Sequence, residues 1–163
     1  MRSLVHLNSF YIYNILLVII FSIIVNNNQS LSFFYSGLYC TFNYLIIYLG
    51  IYYYKKVLYL IYFFYGLGLD ILWLNEIGPH VIAFLLVLVF CKLIVKYLYN
   101  LSSYKIYVVL LILQFFIINF EMLISYVLFN LSSNLDYMFE LLILSLLLSF
   151  PIFIIFLKID KIK

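Results

Sequence analysis

The chain has 163 residues, of which 69% are hydrophobic and 9% are charged, and its mean hydropathy is +1.22. Soluble domains are about half apolar and a quarter charged, so this composition predicts an integral membrane protein. The net charge is only +3 and its nine Lys and Arg residues are scattered, which argues against a nucleic-acid-binding surface. Its apolar runs are about twice as long as the ten-residue strands of membrane barrels, so the predicted class is all-α.

The apolar runs divide the chain into six predicted membrane-spanning helices. A helix needs about 20 apolar residues to cross a hydrocarbon core of about 30 Å. The predicted spans are residues 10–25, 31–54, 57–74, 79–99, 104–129 and 137–157. No connecting segment is long enough to form a separate domain, so residues 1–163 are predicted to form a single polytopic membrane domain.

The positions of the basic residues predict the orientation of these spans, because cytoplasmic connections carry an excess of Lys and Arg. With the N-terminus in the cytoplasm, one set of basic residues lies on the cytoplasmic side: Arg2, Lys55, Lys56, Lys96, Lys105, Lys158, Lys161 and Lys163. The predicted outer connections contain Glu76 and Asp136 but neither Lys nor Arg. Both termini are therefore predicted to be cytoplasmic, since an odd number of spans would place basic residues on both sides.

The end of the third span and the start of the fourth predict a tight helical hairpin. Asp70 lies about one turn from the outer end of its span, and a charged group at that depth is costly unless it is paired. Pro79 suits the first position of a helix, so the free N–H groups that follow it, near His80 to Ile82, would lie at about the depth of Asp70. Gly66 and Gly68 would let a neighbouring helix come close to the third span, and Gly78 would permit the turn. The predicted hairpin residues are Gly66, Gly68, Asp70, Gly78, Pro79 and His80.

These hairpin residues have three interpretations. Asp70 and His80 form a pair that stabilises the fold, belong to a surface that binds a partner, or take part in acid–base chemistry. A second intramembrane carboxyl, Glu121, shares a predicted helical face with Gln114, and no Lys or Arg lies at its depth. A polar stripe of this kind turns inward or toward another protein, so Gln114 and Glu121 are predicted to form interhelical hydrogen bonds or to line a site.

The sequence carries no motif of a catalytic or metal centre. Cys40 and Cys91 lie inside apolar runs and are predicted to be buried hydrophobic residues. The two histidines lie in different contexts, without the spacing of a metal site. Neither a phosphate-binding G-x-x-x-x-G-K-[ST] loop nor a G-x-S-x-G nucleophile setting occurs. We therefore expect neither enzymatic activity nor a metal or cofactor.

The segment from Gly66 to His80 resembles the signature region of the MreD family, the bacterial rod shape-determining membrane proteins. In that family a Gly-x-x-x-Asp helix end is followed by a short turn and by Leu-Gly-x-His at the start of the next helix. Gly66, Asp70, Gly78 and His80 have the same spacings. Phe150-Pro151, the following apolar run and the short basic tail resemble the C-terminus of the family.

The resemblance implies a non-enzymatic inner-membrane component of the bacterial cell-elongation machinery, which scaffolds peptidoglycan synthesis. It implies an MreC-like bitopic partner and, through it, the MreB filament, RodA and the transpeptidase partner of RodA. The implied fold is similar to the substrate-binding component of energy-coupling-factor transporters.

That similarity leaves an alternative open: a substrate-binding membrane subunit of a vitamin-type transporter, with a pocket lined by Asp70, His80, Gln114 and Glu121. Against it, the first span has neither Ala nor Gly, whereas such subunits dock through an Ala-x-x-x-Ala surface.

Overall fold

The computed structural model describes residues 2–26, 33–73, 78–98, 103–129 and 135–161. These residues form six α-helices, which confirms the predicted all-α class. The helices are α1 (Arg2–Asn26), α2 (Phe33–Tyr52), α3 (Val57–Trp73), α4 (Pro79–Leu98), α5 (Ser103–Phe129) and α6 (Leu135–Lys161). Within the described residues, α1, α2, α5 and α6 are long and apolar enough to cross a membrane. The apolar stretches found in α3 and α4, Val57–Leu72 and Pro79–Ile94, are shorter.

Several helix ends differ from the predicted spans. The first helix begins at Arg2 rather than at residue 10, and the last covers Leu135–Lys161 rather than 137–157, because helices continue past the apolar stretch into polar flanks. The second helix ends at Tyr52 rather than at Tyr54, and Leu58 N–H donates to Lys55 O as α3 begins. The predicted span ends at residues 31, 74 and 99 lie outside the described residues.

Helix α2 lies at the centre of the bundle and packs against α1, α4, α5 and α6. In the apolar window of α2 72% of the residues are buried, against 22% in the apolar window of α1. It is also the least apolar of the four long helices, which is consistent with its position, because a helix surrounded by protein need not present an apolar surface to lipid. Polar groups on α2 therefore have helical neighbours on several sides.

Contacts between side chains establish the direction of the central helices. On α2, Cys40 Sγ lies 3.6 Å from Leu141 O and Tyr44 donates to Ser145 O at 3.0 Å, so α2 and α6 are parallel. Helices α5 and α6 are antiparallel, since Tyr107, near the start of α5, lies 2.8 Å from Ser149 Oγ in the second half of α6. It follows that α2 and α5 run in opposite directions.

Candidate functional site

Asp70 joins α3 to the first turn of α4 through four polar contacts. Gly78 N–H and His80 N–H donate to its carboxylate at 2.9 Å each, and Val81 N–H donates at 3.2 Å. The ring Nδ1 of His80 lies 2.7 Å from Asp70 Oδ1. Asp70 is fully buried and His80 is 6% exposed. The two residues predicted to pair therefore form a closed contact inside the bundle.

The local sequence explains why this contact forms. The first N–H groups of a helix have no partner within it, and the positive end of the helix dipole favours a carboxylate. Pro79 stands at the first position of α4, where its missing N–H costs no hydrogen bond. The sequence placed the donors near His80 to Ile82, but Ile82 N–H instead donates to Gly78 O at 2.9 Å as the first helical bond.

The two glycines on α3 face different helices. A Cβ added at Gly66 would lie 2.7 Å from Val81 Cα, so α3 and α4 approach each other backbone to backbone at this point. A Cβ at Gly68 would instead lie 2.6 Å from the Phe21 ring of α1. Gly66 is therefore part of the hairpin, whereas Gly68 belongs to the packing of α1 on α3.

We expect Gly66→Ala to lower the free energy of unfolding by about 1–3 kcal/mol, because the new methyl group overlaps backbone that cannot move without displacing α4. Gly37→Ala is the matched control, since its Cβ would meet only side-chain atoms of α6, at ordinary contact distances of 3.6 and 3.7 Å. Thermal unfolding of both variants in mild detergent measures the difference. Equal midpoints would show that α3 and α4 do not pack this closely.

Glu121 of α5 lies in the same buried region as the hairpin. The hydroxyl of Tyr39, on α2, donates to Glu121 Oε2. The rings of Tyr39 and His80 meet edge to face with centroids 5.9 Å apart, and His80 lies within electrostatic range of Glu121. The structure thus brings the two intramembrane carboxyls predicted from the sequence into a single cluster. Nothing in the sequence distinguishes Tyr39 from the other tyrosines of the chain.

Two buried amides lie deeper in the bundle than Glu121. Gln114 precedes Glu121 by two turns, about 10 Å, and Asn43 follows Tyr39 by about one turn, or 6 Å. Because α2 and α5 are antiparallel, both amides lie on the same side of the Tyr39–Glu121 hydrogen bond, toward the end of α2 and the start of α5. Their positions along the bundle axis differ by about 4 Å. Both side chains are fully buried. Among the described residues, neither amide nor Glu121 Oε1 has a partner with hydrogen-bond geometry.

A second polar cluster, which the sequence analysis missed, lies at the other end of the bundle. Asp160 of α6 accepts hydrogen bonds from Tyr13 of α1 at 3.0 Å and from Tyr53 at 2.6 Å, and Tyr48 of α2 donates to its other oxygen. Tyr13 also lies 3.0 Å from Phe156 O, in the last turns of the same helix. We call these four residues, Tyr13, Tyr48, Tyr53 and Asp160, the tyrosine clamp. It fastens the end of α6 to α1 and α2.

The contacts described in this interior are hydrogen bonds and the pairing of His80 with Asp70. Both cysteines are free and buried. Within the five described stretches, no group of three or more His, Cys, Asp and Glu side chains is arranged to hold a metal ion.

Comparison of the chain with protein-family models, with curated proteins and with solved structures finds no match in any of the three.

Proposed function

We propose that this chain is an MreD-like, non-enzymatic component of a bacterial rod-shape machinery, which binds an MreC-like bitopic protein and so scaffolds peptidoglycan synthesis. The observation that carries the proposal is the Asp70 contact. The residues that resemble the MreD signature are the ones that join α3 to α4: Gly66 at the backbone crossing, Asp70 as acceptor, and Gly78 and His80 as donors.

The proposal includes six spans with both termini in the cytoplasm of the bacterial cell, in a fold similar to the substrate-binding component of energy-coupling-factor transporters. Helices α3 and α4 have 17 and 20 residues, which correspond to about 25 and 30 Å, close to the thickness of a hydrocarbon core. Lys55 and Lys56 are exposed between α2 and α3, on the side assigned to the cytoplasm.

The hairpin would contact its partner through its exposed face rather than through Asp70 and His80, since both are buried. Phe64 and Ile71 are 60% and 48% exposed on α3, and Ile82 is 39% exposed on α4. In this mechanism the Asp70 contact holds the two helices at a fixed spacing, and the exposed apolar face of α3 packs against a transmembrane helix of the partner.

Extraction of a tagged chain in mild detergent, followed by identification of the proteins that co-purify, tests this proposal. We expect a bitopic, MreC-like protein in stoichiometric amount. The double variant Phe64→Ala/Ile71→Ala should reduce its recovery, whereas Leu147→Ala, on the equally exposed surface of α6, should not. Recovery of ATPase subunits with a membrane scaffold, and of no MreC-like protein, would refute the proposal.

The second candidate function is a substrate-binding subunit of a small-molecule transporter. The observation that favours it is a set of buried groups without a hydrogen-bond partner among the described residues: the amides of Asn43 and Gln114, and Oε1 of Glu121. Polar groups of this kind, desolvated inside a bundle, are suited to hydrogen-bond a polar solute.

Gln114→Leu distinguishes the two candidates. For a scaffold we expect the variant to raise the free energy of unfolding by about 1–2 kcal/mol, because it removes a buried amide without a partner. Ile118→Leu is the control, because it lies one turn from Gln114 and changes only the shape of an apolar side chain. Thermal unfolding provides the measurement. A lower midpoint for Gln114→Leu, together with loss of a small molecule seen by native mass spectrometry in the parent, would favour the transporter.

A further inference from the structure

An asparagine on the outer surface of α5 is placed where a polar side chain is unfavourable. Asn119 is exposed and lies more than two turns from either end of its helix. Tyrosines apart, no other exposed side chain with an amide, a hydroxyl or a charge lies so far from both ends of its helix. This holds for the described residues whose burial is known. If α5 crosses the membrane, Asn119 lies within the hydrocarbon layer.

The hydrogen bonding of Asn119 is incomplete. Its Nδ2 donates to Phe115 O, one turn earlier on the same helix, at 2.7 Å. This bond uses one of the two amide hydrogens and leaves the amide oxygen and the other hydrogen facing lipid. Lipid tails offer no hydrogen-bond partner, so a polar group from another helix at the same depth would be favourable.

The residues around Asn119 form a continuous exposed face. Ile112 and Tyr126, seven residues before and after it, are each 60% exposed, and Lys105 is exposed one heptad before Ile112. We call Lys105, Ile112, Asn119 and Tyr126 the α5 stripe. Residues seven apart lie on nearly the same face of a helix, so the stripe can pack along another helix, and a single Asn in such a seam fixes the register.

The other helices of this chain leave the stripe uncovered. The opposite face of α5 carries Gln114 and Glu121, which point into the bundle, and α5 packs against α2, α4 and α6. A helix that covers the stripe would therefore come from another molecule.

We propose that the α5 stripe binds the same stripe of a second copy of this chain. A twofold axis along the membrane normal makes the two α5 helices parallel and places Asn119 at the same depth in both copies. An amide is both donor and acceptor, so the pair is self-complementary. The two Lys105 side chains lie at the end of the stripe, where their ammonium groups extend into water. This proposal does not depend on the proposed function.

Disulfide cross-linking in native membranes tests the proposal. The probe is copper phenanthroline, applied to cysteines introduced singly as Ile112→Cys, Asn119→Cys and Tyr126→Cys. The native cysteines are fully buried, so they are retained and the parent chain serves as the blank. We expect covalent dimers from all three positions, and none from Ile155→Cys, which is 51% exposed on α6. Cross-linking from the control position at the same rate would overturn the proposal.

A measurement in liposomes tests the role of the amide itself. Asn119→Leu should weaken the dimer at least tenfold, as read from single-molecule photobleaching over a range of protein-to-lipid ratios. Asn119→Gln, which keeps an amide, should retain the dimer. Folding is not at issue, because the described side-chain bond of Asn119 is to its own helix. A parent chain that stays monomeric at every ratio, or an Asn119→Cys variant that cross-links only to a different protein, would refute self-association.

Discussion

Asp70→Ala is expected to lower the free energy of unfolding by about 3–5 kcal/mol, the range seen when one partner of a buried ion pair is removed. The variant leaves three N–H groups at the start of α4 and the ring nitrogen of His80 without their acceptor. All of them lie inside the bundle, where water does not replace the lost carboxylate. Thermal unfolding in mild detergent measures the effect.

Two further variants show whether the loss arises from these hydrogen bonds. Asp70→Asn keeps one acceptor oxygen in nearly the same shape, so it should destabilise less than Asp70→Ala. Asp136→Ala removes an exposed carboxylate from the first turn of α6, where a favourable dipole interaction is worth about 0.3–1 kcal/mol. If Asp70→Ala and Asp136→Ala were equally mild, the Asp70 contact would not stabilise the hairpin.

Asp160→Ala should destabilise the opposite end of the bundle by about 2–4 kcal/mol. Three phenol hydroxyls would lose a charged acceptor, and hydrogen bonds to charged groups contribute about 1.5–3 kcal/mol each but are not additive. Because Asp160 is only partly buried, water compensates some of the loss. Limited proteolysis at the end of α6, followed alongside thermal unfolding, would show that the end of this helix is released.

The control for the tyrosine clamp is Lys158→Ala, an exposed change two residues earlier on the same helix. It should leave both the midpoint and the proteolysis rate unchanged. Tyr13→Phe should have a smaller effect than Asp160→Ala, because it removes one donor and leaves two. An Asp160→Ala variant that unfolds like Lys158→Ala would show that the three hydrogen bonds do not hold α6.

The sequence predicted the number of helices because each apolar run has a clear beginning and end. It also predicted the hairpin, since Asp70 and His80 are ten residues apart and belong to neighbouring helices joined by a short segment. Contacts between neighbouring elements of this kind follow from local rules for helix ends and turns. Helix ends were less accurate, because the apolar stretch and the hydrogen-bonded helix do not stop at the same residue.

The contacts that escaped prediction are distant in the chain. Tyr39 and Glu121 are 82 residues apart, and Tyr13 and Asp160 are 147 apart, so a single sequence contains no pattern that pairs them. Asp160 stands in the short basic tail between Lys158 and Lys161, where nothing in the local sequence marks it as an acceptor for distant tyrosines. Its role depends on the parallel alignment of α2 and α6, which follows from tertiary packing rather than from local sequence.

The tyrosine clamp has a consequence for the order in which the chain assembles. Its three hydroxyl donors are synthesised with the first two helices, whereas their carboxylate is added only after α3, α4 and α5. Until then Tyr13 and Tyr48 have no such acceptor, so α1 can remain loosely attached while the central helices pack. In chains stalled on the ribosome before Asp160, a cysteine introduced into α1 should therefore react with a thiol reagent. In chains stalled well beyond Asp160, the same cysteine should be protected.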